Sequence, residues 1–173
     1  MSNFQAATAK LTIKSLDPGG PEVSAQYNPK ELQIDKAVPW SKHAAANKTN
    51  AKEEKAGIHL EFTGAEGRSM SVELLFDGYE NKGKIASGGT VIEKVKALEE
   101  LASVRKPNSK KEDERRPHWC VVTWGQKGIP SFRCVIESLS TKYQMFSEDG
   151  LPLRATCTVK LKEADLVSLA KAK

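Results

Sequence analysis

Histidine and cysteine, the residue types of structural zinc sites, are few in this chain. Three histidines and three cysteines are present, namely His43, His59, His118, Cys120, Cys134 and Cys157. The closest pair is His118 and Cys120, whose two-residue spacing would place both side chains on one side of a strand. A structural zinc site needs four ligands, and two are missing here. The spacing of these residues therefore predicts no metal site.

The three cysteines have no disulfide pattern. An odd number of cysteines without a secretory signal argues against a disulfide framework. Each cysteine lies in a run of alternating apolar and polar residues, which favours free thiols buried in a core. A reactive thiol would instead need a partly exposed, electropositive setting.

Motifs for catalysis or nucleotide binding are not found. The sequence has no G-x-S-x-G turn, no P-loop and no G-x-G-x-x-G. The pair Gly88–Gly89 precedes a predicted helix, but the lysine and hydroxyl of a nucleotide loop are missing. A role in the start of the helix is favoured there. We therefore expect no catalytic residues, no cofactor and a non-enzymatic protein.

The segment 105–117 is strongly charged. It holds six basic and three acidic residues, and the net charge of the whole chain is +5. Such a loop could contact phosphates. However, the acidic stretch 112–114 lies within it, and no aromatic residues are interleaved for stacking on bases. A solvated loop, or one that pairs with acidic neighbours, is favoured over nucleic-acid binding.

Most of the chain alternates apolar and polar residues with a period of two, which predicts half-buried antiparallel strands. The clearest case is 153–161, where every second residue from Leu153 to Leu161 is apolar and those between are polar. The predicted strands lie near residues 10–16, 22–27, 31–35, 58–63, 70–76, 119–124, 132–137 and 153–161.

One segment has helical spacing instead. From Thr90 onward, apolar residues recur every three or four positions and form one stripe. Thr90 and Glu93 match a capping box, and Pro107 predicts an end near Lys106. We predict a mainly β protein, an antiparallel β-barrel or β-sandwich with one packed α-helix over about residues 90–105.

Size and composition are typical of one soluble domain. The chain has 173 residues, of which 39% are apolar and 28% are charged. We predict a single domain over 1–173 with its core at about 10–163, long loops at 40–56 and 105–117, and a tail at 164–173. No apolar run approaches the roughly 20 residues of a membrane helix, and no secretory signal is seen. We expect synthesis in the cytoplasm and no membrane insertion.

Four stretches of the chain match patterns of one known family. Residues 26–36 (QYNPKELQIDK) resemble F/Y-N-P-x-x-L/Y-x-I/L-x-K, and Trp40 follows at the place of a family tryptophan. Residues 143–155 are similar to Y-x-x-F-x-x-D-G-x-P-x-R-A. Between them, 71–80 (SVELLFDGYE) and 117–125 (PHWCVVTWG) resemble two further strands, x-x-L-x-F-D and P-P-x-x-x-F-x-W-G.

The family is that of contractile-injection-system tube-domain and baseplate tube-adaptor proteins, and the resemblance spans about residues 10–163. It implies a fold of phage tail-tube type and a ring, usually hexameric, that stacks coaxially with the tube and hub. Members often continue into a LysM domain. We expect none here, because the sequence leaves no room for one before Lys173.

The resemblance implies a structural component of a phage-tail-like particle, a ring-forming adaptor that joins the inner tube to the baseplate hub or spike. An inner tube protein or a tube-initiating ring protein of the same particle is the alternative. A small basic β-barrel that binds nucleic acid is an alternative of another class. Expected partners are copies of itself, the tube protein, the hub or spike, and sheath or baseplate wedge subunits. Assembly is expected in the cytoplasm.

The motif residues are candidates for an assembly interface, although the turn at Gly150 also has a structural interpretation. Gly150 would allow a positive φ, Pro152 would stiffen the turn, and Arg154 would pair with Asp149 or Glu148. The candidate residues are Tyr27, Asn28, Pro29, Trp40, Trp124, Gly125, Phe146, Asp149, Gly150, Pro152 and Arg154.

Overall fold

The computed structural model describes residues 9–42, 60–64, 66–126 and 128–164. Nine strands are found in these residues: β1 Leu11–Ser15, β2 Glu22–Ser24, β3 Leu32–Asp35, β4 Trp40–Lys42, β5 Leu60–Phe62, β6 Ser69–Asp77, β7 Cys120–Trp124, β8 Phe132–Phe146 and β9 Pro152–Glu163. The helix α1 spans Val91–Ala102, and two short 3-10 turns span Tyr79–Asn81 and Glu112–Glu114. No helix in the described ranges has the length and apolar character needed to cross a membrane.

Seven of the strands form one antiparallel sheet in the order β2-β1-β7-β8-β9-β6-β3. The other two, β4 and β5, pair only with each other. The helix packs on one side of the sheet, against β8 and β9. This arrangement confirms the prediction of a mainly β protein with one packed helix.

The sheet is rolled. Its two edge strands, β2 and β3, follow each other in the chain. In a flat sheet, six strand spacings would separate β2 from β3 by roughly 29 Å. Yet Gln26, two residues after β2, donates a side-chain hydrogen bond of 2.8 Å to the carbonyl of Asp77 in β6, the neighbour of β3. The segment 25–31, which we call the crossover, therefore connects two edges that curl toward each other.

The core lies inside this roll, where α1 covers the apolar face of the sheet. The predicted apolar face of 153–161 is buried at every one of its five positions. The helix buries Val91, Val95, Leu98 and Leu101 against it. The period-two and helical patterns of the sequence thus correctly identified the inner face of these elements.

The helix begins as predicted and ends earlier. Thr90 accepts a hydrogen bond from the Glu93 amide at 3.2 Å, and the Glu93 carboxylate accepts one from the Thr90 amide at 2.7 Å, which confirms the capping box. The last helical residue is Ala102, before the predicted end near residue 105. Ser103 after it is extended, and Arg105 beyond the helix pairs with Asp17 near β1, at 3.0 Å.

Three strand predictions differ from the structure. The predicted loop 40–56 begins with a strand, β4, and its residues 43–56 lie outside the described ranges. The expected half-burial of β5 is wrong, because its apolar side chains are exposed. Strand β8 continues to residue 146, well past the predicted end at 137, because pairing with β9 extends it through a polar sequence. Of the predicted tail 164–173, only Ala164 is described.

The predicted buried free thiols are confirmed. Cys120, Cys134 and Cys157 are unbonded and almost fully buried. Burial raises the pKa of the Cys120 thiol to about 12, and burial also raises the pKa of Cys134 and Cys157. Because the thiolate is the reactive form, these thiols are protected both by their burial and by their raised pKa values.

We expect the native protein at pH 8 to react with a thiol reagent such as Ellman's reagent only as fast as it unfolds. Denatured protein should release three equivalents per chain, the number of cysteines in the sequence. Rapid modification of any thiol in the native protein would contradict the burial described above.

Candidate assembly surfaces

The crossover is attached to the sheet by two side-chain amides. Gln26 makes two bonds to the main chain of Asp77: its Nε2 donates to the carbonyl at 2.8 Å, and its Oε1 accepts from the amide at 2.7 Å. Asn28 donates to the Ala9 carbonyl at 2.8 Å and accepts from the Leu11 amide at 3.1 Å. Each amide thus satisfies main-chain groups that lack a strand neighbour.

An ion pair lies beside the Gln26 bonds. Arg154 of β9 stands directly opposite Asp77 of β6 in the strand register, and its guanidinium donates two hydrogen bonds to the Asp77 carboxylate. Burial alone would raise the pKa of Asp77, but the hydrogen bonds from Arg154 and the Tyr79 amide, with the Arg154 charge, hold it below its usual 3.8. The predicted pairing of Arg154 with Asp149 or Glu148 is therefore wrong, because the register gives Arg154 a nearer carboxylate.

Three of the four motif stretches meet at this point. Gln26 and Tyr27 come from 26–36, Asp77 and Tyr79 from 71–80, and Arg154 from 143–155. Together they line a polar depression of about 220 Å³. Gln26 joins the crossover to β6, and Arg154 pairs with Asp77 from the neighbouring strand β9. The rings of Tyr27 and Tyr79 are exposed, so they are the members of the group that remain free to contact a neighbour.

The remaining motif stretch, 117–125, supports the other end of the crossover. Trp124 pairs with Leu11 in the β1–β7 register and packs partly buried against the core. Gly125 has a φ of 65°, and a Cβ there would lie 3.2 Å from the Ala9 side chain, so glycine suits the position. Pro29 is half-buried next to Asn28. These residues position the chain near Ala9, and Asn28 bonds to the carbonyl of that residue.

The turn between β8 and β9 is closed by its own hydrogen bonds. The Ser147 amide donates to the Leu151 carbonyl at 2.9 Å, and the Ser147 hydroxyl accepts from the Leu151 amide at 3.0 Å. Gly150 has a φ of 77°, as the structural interpretation of this glycine requires. Phe146 and Asp149 are exposed at the turn, and Pro152 begins β9. We call residues 147–152 the turn.

A second exposed surface lies on the separate strand pair β4–β5, which we call the arm. The Trp40 and Phe62 side chains face each other across it, with ring centroids 5.5 Å apart. Trp40, Leu60 and Phe62 are 57%, 54% and 50% exposed. A two-stranded ribbon of this kind is marginally stable alone in water. The arm therefore presents apolar surface that nothing in the described part of the chain covers.

The charged loop 105–117 is anchored at both ends by one buried carboxylate. Asp17 is bonded by Arg105 at 3.0 Å, by Arg116 at 2.9 and 3.0 Å, and by the Trp119 amide at 2.9 Å. Burial would raise the pKa of Asp17, but the hydrogen bonds of Arg116 and Trp119 and the two positive charges lower it below 3.8. The sequence pattern did not reveal this cluster, because nothing local marks residue 17 as the partner of residues 105 and 116.

His118 and Ser15 adjoin this cluster without forming a catalytic triad. Ser15 Oγ lies 2.8 Å from His118 Nδ1, and the Asp17 carboxylate lies 3.8 Å from the same nitrogen. A triad needs the hydroxyl and the carboxylate on different ring nitrogens. Burial and then the Arg105 charge lower the pKa of His118, against the opposing effect of Asp17, so the ring is neutral at pH 7. In the described ranges, no three His, Cys, Asp or Glu residues are grouped to hold a metal ion.

A rolled antiparallel sheet with one helix and exposed apolar surfaces at its ends suits a structural subunit of an assembly. The sequence matches the family described as contractile injection system tube protein over residues 7–172. The chain therefore belongs to the contractile injection system tube protein family, as its motifs suggested. It is a structural tube component of such a phage-tail-like particle and assembles with other subunits. A search of curated proteins finds no match.

The Asp77–Arg154 assignment predicts unequal effects of two substitutions. Arg154→Ala should lower the free energy of unfolding by about 1 kcal/mol, because the pair is hydrogen-bonded but partly exposed. Asp149→Ala should change it by less than about 0.5 kcal/mol, because Asp149 is an exposed turn residue. Urea unfolding of the two monomeric variants checks this, and equal losses would restore Asp149 as the partner.

Stability should fall as the pH is lowered, in two stages. The folded pKa of His118 lies below its unfolded value of 6.5, so its contribution is complete above pH 6.5 and is lost as the pH falls through the folded pKa. Asp17 and Asp77 contribute in the same sense around and below their unfolded value of 3.8. Thermal unfolding from pH 8 to pH 3 tests this, and His118→Gln should remove the first stage only. A melting temperature that rises between pH 7 and pH 5 would be inconsistent with a buried neutral histidine.

Proposed function

We propose that this protein is the ring-forming adaptor that joins the inner tube of a contractile injection particle to the baseplate hub or spike. The observation that carries the proposal is the arm, whose aromatic side chains are exposed in a single copy. A protein of a tube family that leaves such surface uncovered gains most by burying it against another subunit. We expect a ring of identical copies, with six as the expected number.

The polar face of the sheet supports an arrangement in which the subunits surround a central channel. The helix covers one face only, and on the opposite face Thr156 and Thr158 of β9 are half-exposed and Lys160 is exposed. We propose that this face lines the channel, in contact with water. The tube protein would then stack on one side of the ring and the hub or spike on the other, with sheath or baseplate wedge subunits outside. Assembly would take place in the cytoplasm.

An inner tube protein or a tube-initiating ring of the same particle is the second candidate. The same arm supports it, because stacked rings also need exposed apolar surfaces. A nucleic-acid-binding role has less support. Arg105 and Arg116 of the charged loop both bond to the Asp17 carboxylate, and Lys106 pairs with Glu114 at 3.2 Å. Fewer of its cations are thus available to contact phosphates.

The test is an arm variant expressed in place of the native protein in its host. Trp40→Ser with Phe62→Ser should leave the melting temperature of the monomer nearly unchanged, because both side chains are already exposed. The same variant should reduce the number of sheathed particles seen by electron microscopy at least tenfold. Val104→Ser is the matched control, since Val104 is exposed elsewhere on the surface, and it should leave particle numbers unchanged.

Deletion of the protein should also abolish sheathed tubes. Normal particles in the arm variant would show that the arm is not an assembly surface. Normal particles in the deletion strain would remove the proposed function altogether.

A further inference from the structure

A groove of about 710 Å³ lies between the turn and the beginning of α1. Ile92, Leu151 and Leu153 give it an apolar lining, and the Tyr79 ring stands exposed at its side. Its volume falls within the range of about 300 to 1,000 Å³ found for pockets that bind small ligands, so the groove has room for aromatic side chains. Lys82 and the acidic residues of the turn form a polar rim. An apolar lining with a polar rim is the usual anatomy of a protein interface.

The backbone beside this groove is held in an unusual conformation. In the described ranges, two residues other than glycine have a positive φ: Lys82 at 51° and Met145 at 54°. Lys82 lines the groove, and Met145 lies two residues before its first turn residue, with a side chain that is 47% exposed. Such conformations are costly for residues with a side chain and tend to gather at functional sites. Lys82 is thus part of the groove itself, and Met145 lies on the strand that leads into the turn.

The arm lies at the other end of the sheet from the groove. Strand β6 starts at Ser69, the register partner of Asp35, and ends at Asp77, whose carboxylate accepts a hydrogen bond from the amide of Tyr79 in the groove. This strand is about 27 Å long. Trp40 follows Asp35, the register partner of Ser69, by five residues, which is about 17 Å of extended chain. The arm therefore does not fill the groove of its own chain, and Trp40 remains exposed.

We propose that the arm of one copy docks in the groove of the next copy of this chain, an inference that rests on the proposed assembly role. The Trp40 and Phe62 rings would lie on the lining formed by Ile92 and Leu151. Lys36, which is exposed near the base of the arm, complements the acidic rim of the turn. Because the two surfaces differ and lie at opposite ends, each copy both gives and receives an arm. Such head-to-tail contacts close into a ring when the rotation between copies allows it.

Disulfide trapping between the two surfaces tests this contact. The double variant Phe62→Cys with Leu151→Cys is assembled and then treated with oxidised glutathione, which takes up the two electrons and two protons released as the bond forms. The native cysteines are buried and give little background. A non-reducing gel should show a ladder that passes the dimer and stops at the number of copies in the ring.

The control pairs Phe62→Cys with Thr123→Cys, an exposed position on β7 away from the groove, and should give no ladder. Bands that stop at the dimer would indicate arm-to-arm contact and overturn the proposal. Normal particles without any ladder would show that the groove does not accept the arm. The proposed function is tested separately, by the variant Trp40→Ser with Phe62→Ser.

Hydrogen exchange of the unmodified protein provides a second test, which applies even if the double cysteine variant fails to assemble. Amides of residues 147–153 should exchange at least tenfold more slowly in the assembled protein than in the monomer. Equal exchange rates in the two states would overturn the proposal, whatever the cysteine variants do.

Discussion

The main-chain groups at the two edges of the sheet need hydrogen-bonding partners, and two side-chain amides of the crossover supply some of them. Gln26 pairs with the backbone of Asp77, and Asn28 with that of Ala9 and Leu11. By doing so they hold opposite edges of a rolled sheet together without a further strand. The roll is what encloses the core, so the packing of α1 and the burial of the strands depend on this closure.

The same closure determines where the charged and exposed groups stand. With β6 and β9 in register, Asp77 faces Arg154. The two side chains form an ion pair, so the Arg154 charge is matched within the chain. Several motif residues therefore serve the fold of the single chain. The rings of Tyr27, Tyr79 and Phe146 are exposed near this ion pair. They are not part of the core, so they are available for contact with another subunit.

The proposed assembly makes use of surface that folding leaves unburied. A small strand pair with three exposed apolar side chains gains little from its own chain, and a groove at the opposite end offers apolar surface of matching character. The charged loop is a contrast, because both of its anchoring arginines bond to the Asp17 carboxylate and make the loop part of the folded unit. Apolar contacts are thus better placed than charges to drive contact between copies.

The sequence by itself determined the elements whose signals are local. Alternation marked the inner face of β9, and the capping box marked the first turn of α1, because both depend on residues a few positions apart. The motifs likewise identified the family. The tertiary structure alone decided the partner of Arg154, the role of Gln26 and the Asp17 cluster, since these join residues far apart in the chain through strand register. It also decided that β5 is exposed and that β8 extends to residue 146. A period of two shows which residues share a face, but only packing shows whether that face is covered.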